Sequence, residues 1–516
     1  MRRPIRLVTV ALALLAPVLG AQQTEAPKDT IAEARRLRDA GAYAAAAGLL
    51  APYVSAHPED PGTARMAALM SYWSKDVASA RATYETVLGN HPDDADVRLE
   101  FARFLVDLGQ ASRARQVIVP VAENGDRDLP ATRQAITLLA TLDYWRGDFS
   151  SARRAFISAL RADSADTAAR RQLREIEVVS ASWVRVGGFG WHDDQPLNRA
   201  TTELEGGWFA SPVTPLGVRV TSTRFSHDDV AETVSRAEAS FATFLPGPRL
   251  DISAAAGVLT RTFGESSDWT GRASLGFRLP RNVVLEGSYE RAPYTNTTAS
   301  LETPVITRTA AATLRWRAPS GWTGNATASR EAFDDDNSIT TGYAWLLAPL
   351  LHRSGGDLHV GYSFAAQAAE HSRFVPRLGK ANLPPGPPQG EVAGFYYPYY
   401  TPRDLRVHSA LASATARPSP RWSLTANGSW GVHVRDDAPV LIAVSNPPNA
   451  SIVRAYYPRD FTPWNLRGAI EGAATDAVRL ALTAEHGTGA YYAFTTVGVR
   501  LTYTFIAAAR RRADRY

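Results

Sequence analysis

Apolar positions along this chain follow one rhythm up to about Val179 and another beyond it. From Ile31 to Val179, small and apolar residues recur at helical spacing. After Ser180 the period falls to two. Near the end, Val497, Val499, Leu501, Tyr503 and Phe505 share one face, and Thr496, Gly498, Arg500, Thr502 and Thr504 the other. Val478, Leu480, Leu482 and Ala484 oppose Arg479, Ala481, Thr483 and Glu485 in the same way. Trp269, Ala273, Leu275, Phe277 and Leu279 oppose Thr270, Arg272, Ser274 and Arg278. Strands of about ten residues that alternate in this manner suit a wall with lipid on one side and water on the other.

The helical part repeats. Ala46, Ala80 and Ala114 are spaced by 34, and Ala152 follows after 38. Gly41, Lys75, Gly109 and Gly147 keep the same intervals, and His57-Pro58 returns as His91-Pro92. A period of 34 with small residues at fixed places predicts tetratricopeptide helix pairs, because a small residue lets the two helices approach. Residues 28–179 then hold about four repeats, with an insertion near Glu123–Pro130 and a charged capping helix from about Ala165. The stack is either a spacer or a docking surface. In "DYWRGD", Tyr144 and Trp145 are expected to pack at a helix turn.

The connections arbitrate between a soluble sandwich and a barrel. About 16 alternating segments lie within residues 182–506. One set of connections is mostly short and rich in proline: "SPVTP", "LPGPR", "LPRN", "APSG", "APLLHRSGG", "RPSPR" and "TDAV". The other set is longer and more acidic: "HDDQPLN", "SHDDVAE", "FDDDNS", and two stretches of over 25 residues before Asp404 and Asp460. Short and long alternate in phase, as in an outer-membrane barrel. The fold class predicted is an α-solenoid followed by a transmembrane antiparallel β-barrel of about 16 strands. On its wet face Arg272, Arg278, Arg315, Arg479, Arg500 and Glu485 would set the lumen charge, either drawing an anionic polymer or pairing among themselves.

Composition narrows the surroundings. Arg2, Arg3 and Arg6 precede the apolar run Leu7–Leu19 and small residues at Gly20 and Ala21, the pattern of a signal peptide over residues 1–21. No later stretch is apolar for 18 residues, so no spanning helix is expected. Cysteine is absent, which removes disulfides, thiolate metal sites and cysteine nucleophiles. A net charge of +5 on 516 residues gives no case for nucleic acid. Residues 507–516 read as a basic periplasmic tail. No helical His pair, nucleophile elbow or phosphate-binding glycine loop appears. "FDDDNS" lacks the closing glutamate of an EF-hand and reads as an acidic surface loop. No enzyme, metal or cofactor is expected.

Two aromatic stretches stand out. "GFYYPYYTPRD" (Gly394–Asp404) ends the longest connection and enters the twelfth strand. "YYPRDFTPW" (Tyr456–Trp464) ends the other long one and enters the fourteenth. Tyrosine combines a flat apolar face with a polar tip. The candidate sugar-binding residues are therefore Phe395, Tyr396, Tyr397, Tyr399, Tyr400, Arg403, Tyr456, Tyr457 and Trp464. The alternative is an aromatic girdle or a packed loop base.

Taken together, the chain resembles the cellulose synthase operon protein C type of exopolysaccharide export protein. In "GFYYPYYTPRDL", Gly394, Phe395, Tyr396 and Pro398 match that family's Gly-aromatic-aromatic-Ser-Pro segment, and Tyr397 stands where serine is usual. "ERAPYTNT" resembles a second segment through Arg291 and Pro293. The resemblance implies a 16-stranded barrel in the outer membrane that conducts a nascent, cellulose-like polysaccharide outward. It also implies periplasmic repeats that dock synthase or cell-wall components. Lipid and the barrel-assembly machinery are the other expected partners. The rival is a scaffold or adhesin whose barrel is only an anchor.

Overall fold

The computed structural model describes residues 27–127, 129–195, 197–227, 230–262, 267–377, 390–446 and 449–516. The predicted signal peptide lies outside the described residues. Two compact units divide the chain, residues 1–135 and 136–516.

Among the described residues, nine helices precede the strands: α1 Pro27–Asp39, α2 Tyr43–Ala56, α3 Pro61–Trp73, α4 Val77–Asn90, α5 Ala95–Asp107, α6 Ala111–Asn124, α7 Pro130–Trp145, α8 Phe149–Ala162 and α9 Thr167–Val179. The boundary between units falls inside α7. The repeat landmarks have physical roles. Ala46, Ala80, Ala114 and Ala152 are all fully buried, where any larger side chain would separate the paired helices. Gly41, Lys75, Gly109 and Gly147 occupy the left-handed region, with φ of 74°, 72°, 72° and 82°. Three are glycines, which have no Cβ to strain there; Lys75 is the exception. Asp60, Asp76, Asp94, Asp148 and Asp166 cap helix N-termini by accepting amide hydrogen bonds three residues on. Trp145 departs from expectation: it is 58% exposed, and only Tyr144 packs, against Phe149.

The strands are β1 Trp183–Asp193, β2 Asn198–Ser211, β3 Thr214–His227, β4 Val230–Leu245, β5 Leu250–Arg261, β6 Ser267–Leu279 and β7 Val283–Tyr294. After a short helix, α10 Thr298–Glu302, come β8 Val305–Arg317, β9 Thr323–Phe333, β10 Ser338–Arg353 and β11 Gly356–Ala369. Three short pieces follow in the long connection: β12 Phe374–Pro376, β13 Gly390–Val392 and β14 Gly394–Tyr396. The chain continues with β15 Leu405–Ser419, β16 Trp422–Asn446, β17 Asn449–Arg459, β18 Trp464–Ala473, β19 Val478–Thr488 and β20 Ala493–Thr504, and with helix α11 Ile506–Ala513.

Sixteen of these strands form one closed antiparallel barrel. Each pairs with the next in order, and β20 returns to β1 with Trp183 opposite Thr504 and Asp193 opposite Phe494. Closure leaves no edge strand unpaired. The alternation read from sequence sets the two faces. Val497, Val499, Leu501 and Tyr503 are 55%, 47%, 47% and 46% exposed on the outside. An apolar exterior on this scale is stable only against lipid. No helix among the described residues is long and apolar enough to cross a membrane.

Three segments differ from the sequence reading. The stretch before Asp460 is not a loop: β16 runs 25 residues, leaves the barrel and folds back as β17, with Asp436 opposite Arg459. β13 adds a third strand to this extension. "APLLHRSGG" is mostly strand, with a register shift between Pro349 and Leu351 that absorbs the proline. The segment expected to be a basic tail forms α11, which packs on α9 with Ala509 and Ala513 fully buried. Its charges are matched: Arg512 donates to buried Glu177 at 2.9 Å, Arg153 reaches the same carboxylate at 2.6 Å, and Arg174 meets Asp514 at 2.7 Å.

Candidate functional site

At the loop end of the barrel, opposite the short turns, the connections fold over the opening. Two apolar clusters hold them. Phe225, Val234 and Leu259 of the strands and Leu197 of the first connection enclose Leu301 of α10. Val305 and Phe333 enclose Tyr399. Tyr399 is fully buried, stacks on Phe333 at 3.7 Å, and donates its hydroxyl to Asp335, which Arg373 pairs at 2.7 Å. "FDDDNS" is therefore anchored by Tyr399 and Arg373 and is not simply a solvated loop.

Beside these clusters lies a cavity of about 1450 Å³, whose wall combines many aromatic rings with polar side chains. Of the residues nominated from sequence, Phe395, Tyr396, Tyr397, Tyr400 and Trp464 line it. Tyr396 meets Tyr400 and Tyr491 edge-on, and those two rings are tilted against each other, with centroids 4.9–5.3 Å apart. The Tyr396 and Tyr491 hydroxyls are 3.3 Å apart, and Tyr400 donates to Asp436 at 3.5 Å. Arg459 pairs with Asp436 and lies 3.9 Å over the Tyr491 ring. Tyr397 bonds Thr303, and Thr297 donates to the Pro398 carbonyl. Burial pushes the Tyr396, Tyr399 and Tyr400 hydroxyls well above the ordinary tyrosine range, so they stay protonated and serve as donors.

The other nominated residues lie elsewhere. Tyr399 has no ring face free. Arg403 stacks on Tyr456 at 4.1 Å, and Tyr457 is 52% exposed on β17. None of these four, Tyr399, Arg403, Tyr456 and Tyr457, lines the cavity. The sequence reading missed Trp191, Tyr294, Tyr343, Phe374, Phe461, Tyr491, Tyr492 and Phe494, which do. One signal was available: "AYYAF" (Ala490–Phe494) repeats the Tyr-Tyr doublet in the last outer connection.

Below the cavity the inner wall has two characters. From β1 to β8 it carries ion pairs: Arg185–Glu205 at 2.9 Å, Arg219–Glu203 at 3.7 Å, Arg278–Asp251 at 2.6 Å, Arg236–Glu238 and Arg315–Glu286. Arg500 of β20 joins Glu203 at 3.6 Å. Arg272 and Arg479 have no carboxylate within ion-pair reach among the described residues, and Glu485 accepts from the Asn465 amide at 2.6 Å. From β10 to β16 the inward positions include Thr341, Ser363, Gln367, Ser409, Ser413, Thr425, Asn427 and Ser429, with apolar residues, rings and His359 between them. Along that arc, Asp357 at the turn end pairs with Arg417 and His352, and at the loop end Asp436 of β16 pairs with Arg459. The cavity opens onto this uncharged arc through Tyr343, Ala365, Gln367, Val407, Ser409 and Ser429. The apolar core around Leu301 fills the loop end of the charged arc. No group of side chains suited to a metal ion occurs among the described residues.

Fold and site together define a repeat-bearing β-barrel of the outer-membrane type. The tetratricopeptide repeat family matches residues 74–139. No curated protein matches the chain. Among solved structures, the chain is similar to a "Bacterial polysaccharide outer membrane secretin" at 11% identity and a TM-score of 0.46, covering 64% of this chain and 99% of that one. It is also similar to "CdiB from Acinetobacter baumannii" at 10% identity and a TM-score of 0.36, covering 63% and 60%. The helical part is similar to pilF of Pseudomonas aeruginosa at 15% identity and a TM-score of 0.26, covering 28% and 65%. These likenesses are too distant to carry a functional argument, which rests on the geometry.

Proposed function

We propose that the chain is an outer-membrane exit channel for a nascent, hydroxyl-rich exopolysaccharide of the cellulose type. Its loop end faces outward, and its repeats dock synthase or cell-wall partners in the periplasm. The observation that supports this most directly is the aromatic cavity opening onto an inner arc of hydroxyls and amides. Rings stack on the faces of sugar rings, while protonated tyrosines and Asn, Ser and Thr exchange hydrogen bonds with hydroxyls. A wall of such weak, repeated contacts lets a chain bind and move on. Charged pairs would hold water, and their outer end is filled.

Alanine at Tyr396, Tyr397 and Trp464 tests the reading. Secreted polymer should fall at least tenfold while the barrel still assembles and migrates as a folded species. Unchanged secretion in the assembled variant removes the sugar-stacking role. The second reading, an anchored scaffold or adhesin, is favoured by the apolar core that fills part of the opening. Ion conductance across a planar bilayer separates the two, since an anchor predicts a silent barrel.

A further inference from the structure

The outward face of the barrel carries arginines near its loop end, and two of them oppose each other across a ladder. Arg291 on β7 is the register partner of Arg308 on β8. Arg330 on β9 is a diagonal neighbour, since Arg308 faces Ala332 and Ala310 faces Arg330. All three share the outer surface with Tyr289, Leu314 and Trp316.

Like charges directly opposite across an antiparallel pair destabilise it unless something offsets them. Arg291 is offset: its guanidinium lies 4.2 Å over the Trp269 ring and donates to Asp268 at 2.9 Å. Among the described residues Arg330 has only Glu370 at 3.5 Å, with side chains 67% and 52% exposed, and such a pair contributes little. Arg308 is exposed and has no carboxylate within ion-pair reach among the described residues. Asp334, just past the ladder, accepts instead from the Ile306 amide at 3.2 Å. On β15 and β16 the same opposition is resolved within the chain. Arg406 faces Arg435, and Asp404 lies between them at 2.9 and 3.8 Å. Beside Arg308 no carboxylate among the described residues comes within that reach.

We propose that Arg308 and Arg330, flanked by Arg291, bind the phosphate of a glycolipid headgroup in the surrounding outer leaflet. The orientation comes from the proposed function; the site itself does not depend on transport. Guanidinium groups fit phosphate oxygens in a bidentate manner and keep their charge at any relevant pH. Below them on the same face, Ala310, Ala312 and Ala328 leave the wall low enough for acyl chains to lie against it. The phosphate supplies the charge that Asp404 supplies elsewhere.

Native mass spectrometry of the full chain in detergent tests this with four probes: a phosphorylated glycolipid, its dephosphorylated form, phosphatidylglycerol and inorganic phosphate. The expected result is at least tenfold greater retention of the phosphorylated glycolipid than of each other probe. Arg308→Ala with Arg330→Ala should abolish the preference, Arg308→Lys should keep part of it, and Arg406→Ala should leave it intact. Equal retention of both glycolipids would mean apolar contact alone and overturns the site. Equal retention of phosphatidylglycerol overturns the glycolipid assignment, and displacement by inorganic phosphate at equal concentration overturns the lipid assignment. The wild-type comparison decides even where a variant does not fold.

Discussion

The inner wall from β1 to β8 and the wall from β10 to β16 belong to one barrel but solve different problems. The first pairs arginines with carboxylates in a network whose loop end is filled by Leu301 and its neighbours. The second carries hydroxyls and amides and leads into the aromatic cavity. Paired charges fix geometry and hold water tightly; neutral groups exchange partners readily. The difference suggests that one arc braces the barrel and the other is the track. This division also bears on the lumen arginines. Arg278, Arg315 and Arg500 are engaged by acids of the wall itself, while Arg272 and Arg479 have no carboxylate within ion-pair reach among the described residues.

The largest expected effect comes from unbracing the filled end. Leu301→Ala should cost about 3 kcal/mol, as a buried leucine truncation does, read as lower urea resistance of the barrel in micelles. It should also raise conductance; a drop in stability without a new conductance would show that the charged arc is closed elsewhere. Next is the track. Asn427→Arg should cut polymer export roughly tenfold, about 1.4 kcal/mol at a barrier, while Arg272→Asn on the braced arc leaves export unchanged. Equal effects from the two would dissolve the distinction between the arcs. Glu205→Gln should cost about 1 kcal/mol, discounted because Arg185 and Arg219 are partly solvated, and should spare export.

Alkaline titration sharpens the role of the cavity. The folded state holds Tyr396, Tyr399 and Tyr400 protonated, above the unfolded value near ~10. Their contribution to stability is thus full below about pH 10 and is lost as pH rises past it. Tyrosinate absorbance should show a subset of the 19 tyrosines ionising after the rest. A single shared transition near pH 10 would mean the rings are solvated. The smallest effect lies in the repeats: Lys75→Gly should stabilise by about 0.5–1 kcal/mol by relieving its left-handed backbone, with no change in export.

Much of the fold was legible because it is local. Strand alternation, turn prolines and the spaced alanines each act over a few residues, and they located strands entering at Leu405 and Trp464. The extension of β16 was not legible. Pro439 and Pro458 punctuate it like a loop, and only their pairing across the hairpin, Pro439 with Tyr456 and Asp437 with Pro458, makes strands of them. The site was half legible. A run of rings announces itself, but which ring is buried depends on partners far away in sequence. Tyr399 needs Phe333, and Trp191 stacks on Phe494 at 4.6 Å only because the first and last strands meet.

The contact between Glu177 and Arg512 carries a temporal meaning. The carboxylate belongs to a helix made before any strand, and the guanidinium follows the final strand. That helix therefore waits through synthesis of every strand for its last neighbour. Sealing of the cylinder and completion of the helical face beside it become one event, and a chain stalled short of its seam leaves Glu177 with Arg153 as its one guanidinium partner among the described residues.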